Sequence, residues 1–312
     1  MSQAAGAITR PASPEVVPFF DEPTNTLSYV VKAPGSRQCV VVDPVLDLDY
    51  PSGSVHFTGA RRIVDYIRSH DLELVWILET HVHADHLSSA AYLKQALGGT
   101  VAIGSQITVV QEIFGEVFAA GPGFAVDGSQ FDRLLADGDS IEFGGLVGRA
   151  LHTPGHTPAC MTYVLGDAVF VGDTLFMPDG GTARVDFPGG DAATLYQSIQ
   201  RILAMPPDTR IFVCHDYLPN GRELEYETSV EQQLQSNIHV HTGIDVAEFT
   251  AMREARDATL GMPTLILPSL QVNMRGGHFP PAGGDGRTFL NLPVNAFGGD
   301  DITGLASAEA GS

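Results

Sequence analysis

Apolar residues along the chain fall into short runs whose period changes from two to between three and four and back again. Val16–Phe20, Leu27–Lys32 and Gln38–Asp43 predict strands, separated by the turn residues Asp21-Glu22-Pro23 and Pro34-Gly35. Gly59–His70 carries Ile63, Val64 and Ile67 at helical spacing. The continuous run Leu74–Leu78 predicts a buried strand, and Leu87–Leu93 the helix that follows it. Thr100–Ile103 and Ser105–Phe118 repeat that strand–helix unit, and the Gly-rich segment Gly121–Ser129 predicts a surface loop. Ser140–Phe143, Leu146–His152, Met161–Leu165 and Ala168–Val171 follow one another closely, as strands of an antiparallel sheet do. Asp191–Leu203 predicts a helix with Asp191 as its N-cap, and Arg210–Val213 a further strand.

Beyond Arg222 the pattern becomes helical, with helices expected over Ser229–Asn237 and Asp245–Ala258. Thr264–Leu267 is a short apolar run between prolines, and Gly276–Gly286 a loop. Two strand-rich halves that each carry helices predict an α/β protein, a four-layer αβ/βα sandwich with a C-terminal helical extension. The expected divisions are a loose arm over residues 1–14, a catalytic unit over 15–225, an extension packed on it over 226–297, and a frayed tail over 298–312.

A formal net charge of −20 over 312 residues argues against nucleic acid as a partner, because phosphate recognition needs a basic surface. Cys39, Cys160 and Cys214 are too few and scattered for a disulfide framework, which points to a reducing, cytoplasmic setting. The first residues lack a charged segment followed by an apolar core, and no apolar run is long enough to span a bilayer, so neither secretion nor a membrane is expected.

The candidate chemistry gathers at predicted strand ends. Thr80-His81-Val82-His83-Ala84-Asp85-His86 places three imidazoles and a carboxylate directly after the strand Leu74–Leu78, where open α/β sheets position ligands. In extended chain His81 and His83 project to one side, while Asp85 and His86 point elsewhere, so the loop offers two sets of metal ligands. His152-Thr153-Pro154-Gly155-His156-Thr157 holds His156 in a tight turn. Asp173 in Gly172-Asp173-Thr174-Leu175-Phe176 and His215 in Cys214-His215-Asp216-Tyr217 each end an apolar strand. Packing alone does not explain so many ligands entering at strand ends. The other candidates read as ordinary residues: His239-Val240-His241 as surface polar, His56, His70 and His278 as loop or helix-end residues, His152 as structural, Cys160 and Cys214 as buried small side chains.

Taken together, Thr-His-x-His-x-Asp-His, the later Pro-Gly-His, Gly-Asp-Thr-Leu-Phe and the final His-Asp-Tyr resemble the metallo-β-lactamase superfamily over roughly residues 16 to 220. The resemblance implies the metallo-β-lactamase fold, with His81, His83 and His156 in one half-site, Asp85, His86 and His215 in the other, and Asp173 able to bridge. Within the superfamily, the run Gly181–Tyr196, with Arg184-Val185-Asp186-Phe187 followed by Leu195-Tyr196, resembles the persulfide dioxygenases, as does Leu267–Arg275. That resemblance implies oxidation of glutathione persulfide by O2 to sulfite and glutathione, in hydrogen sulfide metabolism. One Fe(II) per chain would be held by His81, His156 and Asp173, with His83, Asp85, His86 and His215 kept around it without a second metal.

Two histidines and a carboxylate are the facial triad of non-haem Fe(II) oxygenases. Residue types alone leave zinc, or a dinuclear site, open. Glutathione carries two carboxylates, so a site for it in an acidic protein calls for placed cations. Arg184 is the first candidate, with Asp186 supporting it, then Tyr217, where the related glyoxalase II enzymes touch glutathione, then Arg222 and Arg275. The alternative is a glyoxalase II-type thioester hydrolase with both half-sites filled. The family resemblance also implies a homo-oligomer, dimer or tetramer.

Overall fold

The computed structural model describes residues 13–300. All of the expected arm except residues 13 and 14, and all of the expected tail except 298–300, lie outside them. Two six-stranded sheets form the centre. The first runs in the order β1 (Glu15–Asp21), β2 (Thr26–Lys32), β3 (Gln38–Val42), β6 (Glu73–Leu78), β8 (Thr100–Gly104), β9 (Arg133–Leu135). It is antiparallel through β3 and parallel from β3 onward. The second runs β10 (Ser140–Phe143), β11 (Leu146–His152), β12 (Met161–Leu165), β13 (Ala168–Phe170), β14 (Arg210–Phe212), β15 (Glu227–Ser229). It is antiparallel except where β13 and β14 pair in parallel. A small third sheet joins β5 (Ser54–His56), β4 (Val45–Asp49) and β7 (Leu87–Ser88).

The two-residue period of β2 shows how the layers form. Leu27, Tyr29 and Val31 face the second sheet and pack with Ile141, Met161, Tyr163, Phe170 and Phe212. Val30, between them, faces the other way, into the core shared with α1 (Thr58–Ser69), α2 (Ala90–Leu97) and α3 (Ile107–Val117). On the far side, Val169 and Ile211 pack against Leu195, Ile199 and Ile202 of α4 (Ala192–Leu203). Helices, sheet, sheet, helices is the expected four-layer sandwich.

The end of the described chain wraps both outer layers. Strand β15 pairs with β14, so the second sheet runs past residue 225 into the segment read as an extension. Capping boxes at Ser229 and Asp245 start α5 (Val230–Ser236) and α6 (Val246–Asp257). Phe249 of α6 enters the core against α4, whereas Ile266 and Leu270 of α7 (Ile266–Asn273) enter the core on the first sheet.

Two local expectations need correction. Leu87 and Ser88 do not open the helix after the histidine loop. They pair with Leu46 and Val45 as a strand, which buries Leu87 against Leu46 and Val272, and α2 starts at Ala90. His239 is not surface polar. It is buried over Gly181, where an added Cβ would lie 2.2 Å from Nδ1, and that nitrogen accepts from Thr182 N–H at 3.0 Å. No helix among the described residues is long and apolar enough to cross a membrane.

Burial, together with the charges of Arg253 and Arg256, lowers His239 to about 4 from the ordinary 6.5. The unfolded chain therefore takes up this proton first as the pH falls. The contribution of His239 is present above the unfolded value and lost between about pH 6.5 and about pH 4. We expect His239→Asn to narrow the gap between urea midpoints measured near pH 7 and near pH 5.

Candidate metal centre

The histidine loop leaves the central strand β6 and is pinned by a carboxylate from the neighbouring strand's end. Asp43, just after β3, sits in the left-handed region at φ 48°. Its carboxylate accepts from Thr80 N–H at 2.7 Å and from the Thr80 hydroxyl at 2.9 Å, and lies 3.0 Å from His83 Nε2. With its proton given to Asp43, the Thr80 hydroxyl accepts from His81 Nδ1–H at 3.0 Å. His81 Nε2 is then the bare nitrogen, and it is buried without a partner. Burial, reinforced by His83, holds His81 well below its ordinary value, so the ring is the neutral form a metal needs.

His156 and Asp173 come from the second sheet. Gly155 lies at φ 139°, and a Cβ there would meet Leu195 Cα at 2.3 Å, so only glycine lets the turn rest on α4. His156 Nδ1 lies 2.7 Å from the Arg184 carbonyl and must donate to it, which bares Nε2. Asp173 Oδ2 is 3.7 Å from His156 Nε2 and 4.0 Å from His81 Nε2. Burial would raise the Asp173 carboxyl, but the imidazoles of His215, His81 and His156 overcome this and hold it well below the carboxylate range. The donor atoms of His81, His156 and Asp173 lie within 4.8 Å of one another. Two bare nitrogens and an ionised oxygen at that spacing suit a divalent cation bound from one side.

His83 does not share that group, although its ring centroid is only 4.0 Å from that of His81. The loop is not extended, so the two-residue period does not apply. His83 Nε2 faces Asp43 at 3.0 Å and Glu79 at 3.5 Å. Instead His83 gathers with His86, Cys214 and His215, again within 4.8 Å. His215 Nε2 lies 3.2 Å from both Asp85 and Asp173.

A cleft of about 640 Å³ opens beside these groups, lined by Asp85, His156, Asp173, Arg184, Phe187 and Tyr217 among others. Arg184 is there as expected, but Asp186 engages it through two hydrogen bonds of 2.6 Å, and it donates to Gly261 O at 2.7 Å. Tyr217 stacks on His215, centroids 5.7 Å apart. Arg222 and Arg275 are not brought to the cleft. Arg222 is held by Asp179 and Asp216, and Arg275 is buried over the Phe124 ring. Among the described residues, the lining cation with no acidic partner is Arg256, which lies on α6 between the members of the buried pair Arg253–Asp257. The sequence offered only the arginine pair on α6 as a signal for it.

Two ties from the chain's end secure the ligand loops. Asn273, the last residue of α7, donates to the His83 and His86 carbonyls at 2.8 Å each and accepts from Ser88 N–H at 2.7 Å. Arg253 donates to Thr182 O at 3.0 Å, and Asp257 accepts from Val185 N–H at 2.8 Å. These two bonds bracket Arg184, whose carbonyl orients His156. Arg253 and Asp257 carried no local sequence signal, and Asn273 none beyond its place in the run Leu267–Arg275.

The sequence model of the metallo-beta-lactamase superfamily matches residues 21–215. A probable metallo-hydrolase of Burkholderia pseudomallei is 52% identical over 288 residues, 89% of this chain and 98% of that protein. Glyoxylase B2 of Dictyostelium discoideum is 42% identical, covering 90% of this chain and 96% of its own. The human mitochondrial persulfide dioxygenase ETHE1 is 33% identical over 64% of this chain and 67% of its own. The crystal structure of ETHE1 from Myxococcus xanthus superposes with a TM-score of 0.67 at 29% identity, over 85% of this chain and 100% of that one.

Removing the Asn273 amide frees two loop carbonyls and one N–H. We expect Asn273→Ala to weaken metal retention about 10- to 100-fold, the usual cost of losing groups that orient ligands. Metal content after timed exposure to a chelator measures this, with far-ultraviolet circular dichroism to show that the variant is folded.

Proposed function

Since the chain belongs to the metallo-beta-lactamase superfamily, we propose that it is a glutathione-dependent persulfide dioxygenase holding one Fe(II) on His81, His156 and Asp173. The observation that carries this reading is the separation of those three donors from His83, which leaves two nitrogens and one carboxylate as a distinct set. Relatives named persulfide dioxygenase, and the likeness to a solved member, support it. The balanced reaction is glutathione persulfide plus O2 plus water, giving glutathione, sulfite and two protons.

Fe(II) at these residues would supply the coordination positions at which O2 and a sulfur anion react without a spin barrier. The chain's own groups do the rest. Phe187 packs edge-on against His156, centroids 5.3 Å apart, and keeps water from that side of the ring. The Arg184–Asp186 pair fixes the cleft wall, with the guanidinium 5.0 Å over Phe187. Arg256 offers its charge to a glutathione carboxylate, and Tyr217 lines the same cleft. His83, Asp85, His86 and His215 surround the iron ligands without holding that metal. Residues 226–297 act as an extension packed on the catalytic unit, in a cytoplasmic homo-oligomer.

The second reading, hydrolysis of a hydroxyacylglutathione thioester, is favoured by the relatives named glyoxylase and metallo-hydrolase. An oxygen electrode separates the two. The iron-loaded chain should consume O2 and release sulfite when given glutathione persulfide. Thioester hydrolysis without O2 uptake sinks the dioxygenase reading. Asp173→Asn should lower turnover by at least about 100-fold together with iron content. Arg256→Gln should raise KM about 10-fold, one charge-assisted hydrogen bond, with kcat little changed.

A further inference from the structure

A second cavity, of about 610 Å³, adjoins the chain just past the histidine loop, at Ser88 and Ser89. Of the residues that line it only Leu46 also lines the cleft. Its polar lining is the start of α2. The first turn of a helix leaves N–H groups with no acceptor inside the helix, and the aligned peptide dipoles there favour an anion. In α2, Ala90 N–H is met by Ser88 Oγ at 3.0 Å and Leu93 N–H by Ser89 O at 3.0 Å. Among the described residues, the N–H groups of Ala91 and Tyr92 have no acceptor. The first turn holds no acidic residue, and Ser89, at the cap position, makes no capping bond. Ser89 is only 1% exposed, yet its hydroxyl has no hydrogen-bond partner. A buried hydroxyl left in that state costs stability until a partner meets it.

Gly277 keeps this end open. It lies at φ 82°, and a Cβ there would stand 3.0 Å from Ala91 N and 3.2 Å from Ala90 N, over the groups an anion would take. The rest of the lining is apolar. Phe57 and Tyr92 stack with centroids 4.4 Å apart, and Phe57, Leu46 and Phe279 share one small core. Lys94 also lines the cavity, but both Asp132 oxygens already accept from it, at 2.6 and 2.7 Å. The charge left for a ligand is then the helix end's, about half an elementary charge. That suits one carboxylate and not a phosphate dianion.

We propose that this cavity binds a monocarboxylate with a flat apolar body, an aryl carboxylate. Its oxygens accept from the Ala91 and Tyr92 N–H groups and from the Ser89 hydroxyl, and its ring lies along Phe57 and Phe279. Helix starts are established seats for carboxylates, and here the buried hydroxyl and the aromatic wall add the selectivity. The site leaves the metal ligands untouched, so it takes a second small molecule and not the reactant. It holds whichever reaction the cleft performs.

Benzoate, benzyl alcohol and inorganic phosphate, each titrated into the nitrogen-15-labelled full-length chain, test this. Benzoate should bind saturably and shift the amide signals of Ala91 and Tyr92. Benzyl alcohol, which keeps the ring and lacks the charge, should bind at least about tenfold more weakly, and phosphate should not displace benzoate. Ser89→Ala should weaken benzoate about tenfold, the worth of one hydrogen bond to a charged group. The amide shifts of the wild-type chain stand even where Ser89→Ala fails to fold. Shifts confined to the cleft, a titration that never saturates, equal binding of benzyl alcohol, displacement by phosphate, or an affinity unchanged in folded Ser89→Ala would overturn the proposal.

Discussion

One carboxylate decides how the histidines are shared. Asp43 holds the backbone and hydroxyl of Thr80 and the ring of His83 at once. Burying a carboxyl group is costly unless its oxygens are hydrogen-bonded, and here they are. The same contacts turn His81 toward His156 and Asp173, and hold His83 against Asp43 instead. Without Asp43 the loop would keep its ties to Asn273, Met161 and Tyr163 but lose the contact that orients the His83 ring.

That loop serves only because the two sheets approach each other at this end. Packed sheets usually lie about 10 Å apart, too far for donors from both to meet. Here hydrogen bonds cross between them. Met161 N–H donates to Thr80 O at 2.8 Å, Leu27 N–H to Cys214 O at 2.7 Å, and the Tyr163 hydroxyl to Glu79 O at 2.7 Å. Gly172 permits a close approach between them. It lies at φ 50°, and a Cβ there would lie 2.5 Å from Thr80 Oγ1. The ligands of the first sheet and of the second are thereby brought within reach of one cation.

Much of this was legible in the chain, for reasons that also mark where legibility ends. Strands such as Leu27–Lys32 and helices such as Asp191–Leu203 carry a period and a cap, and both stand where those signals put them. The two-residue strand at Leu87 has no period to read, and its pairing with Leu46 is set by burial across the fold. Ligand residue types were visible at strand ends, but their grouping was not, because it depends on which ring nitrogen each neighbour occupies. Asn273 and Arg256 were silent for a similar reason: an amide and an arginine on helices say nothing until the fold shows what they face. His239 misled because its histidine-rich surroundings looked polar, while Gly181 leaves a space that only the folded chain reveals.

The ties from Asn273, Arg253 and Asp257 have a consequence for the order of events during synthesis. His81, His156, Asp173 and His215 all precede the bonds that steady their loops, which come from residues 253 to 273. A nascent chain emerging from the ribosome therefore presents the histidines of the strand-end loops before the residues that tie those loops down. Metal acquired at that stage meets a loose, permissive set of ligands. Selective loading belongs to the finished polypeptide, after the last two helices have docked.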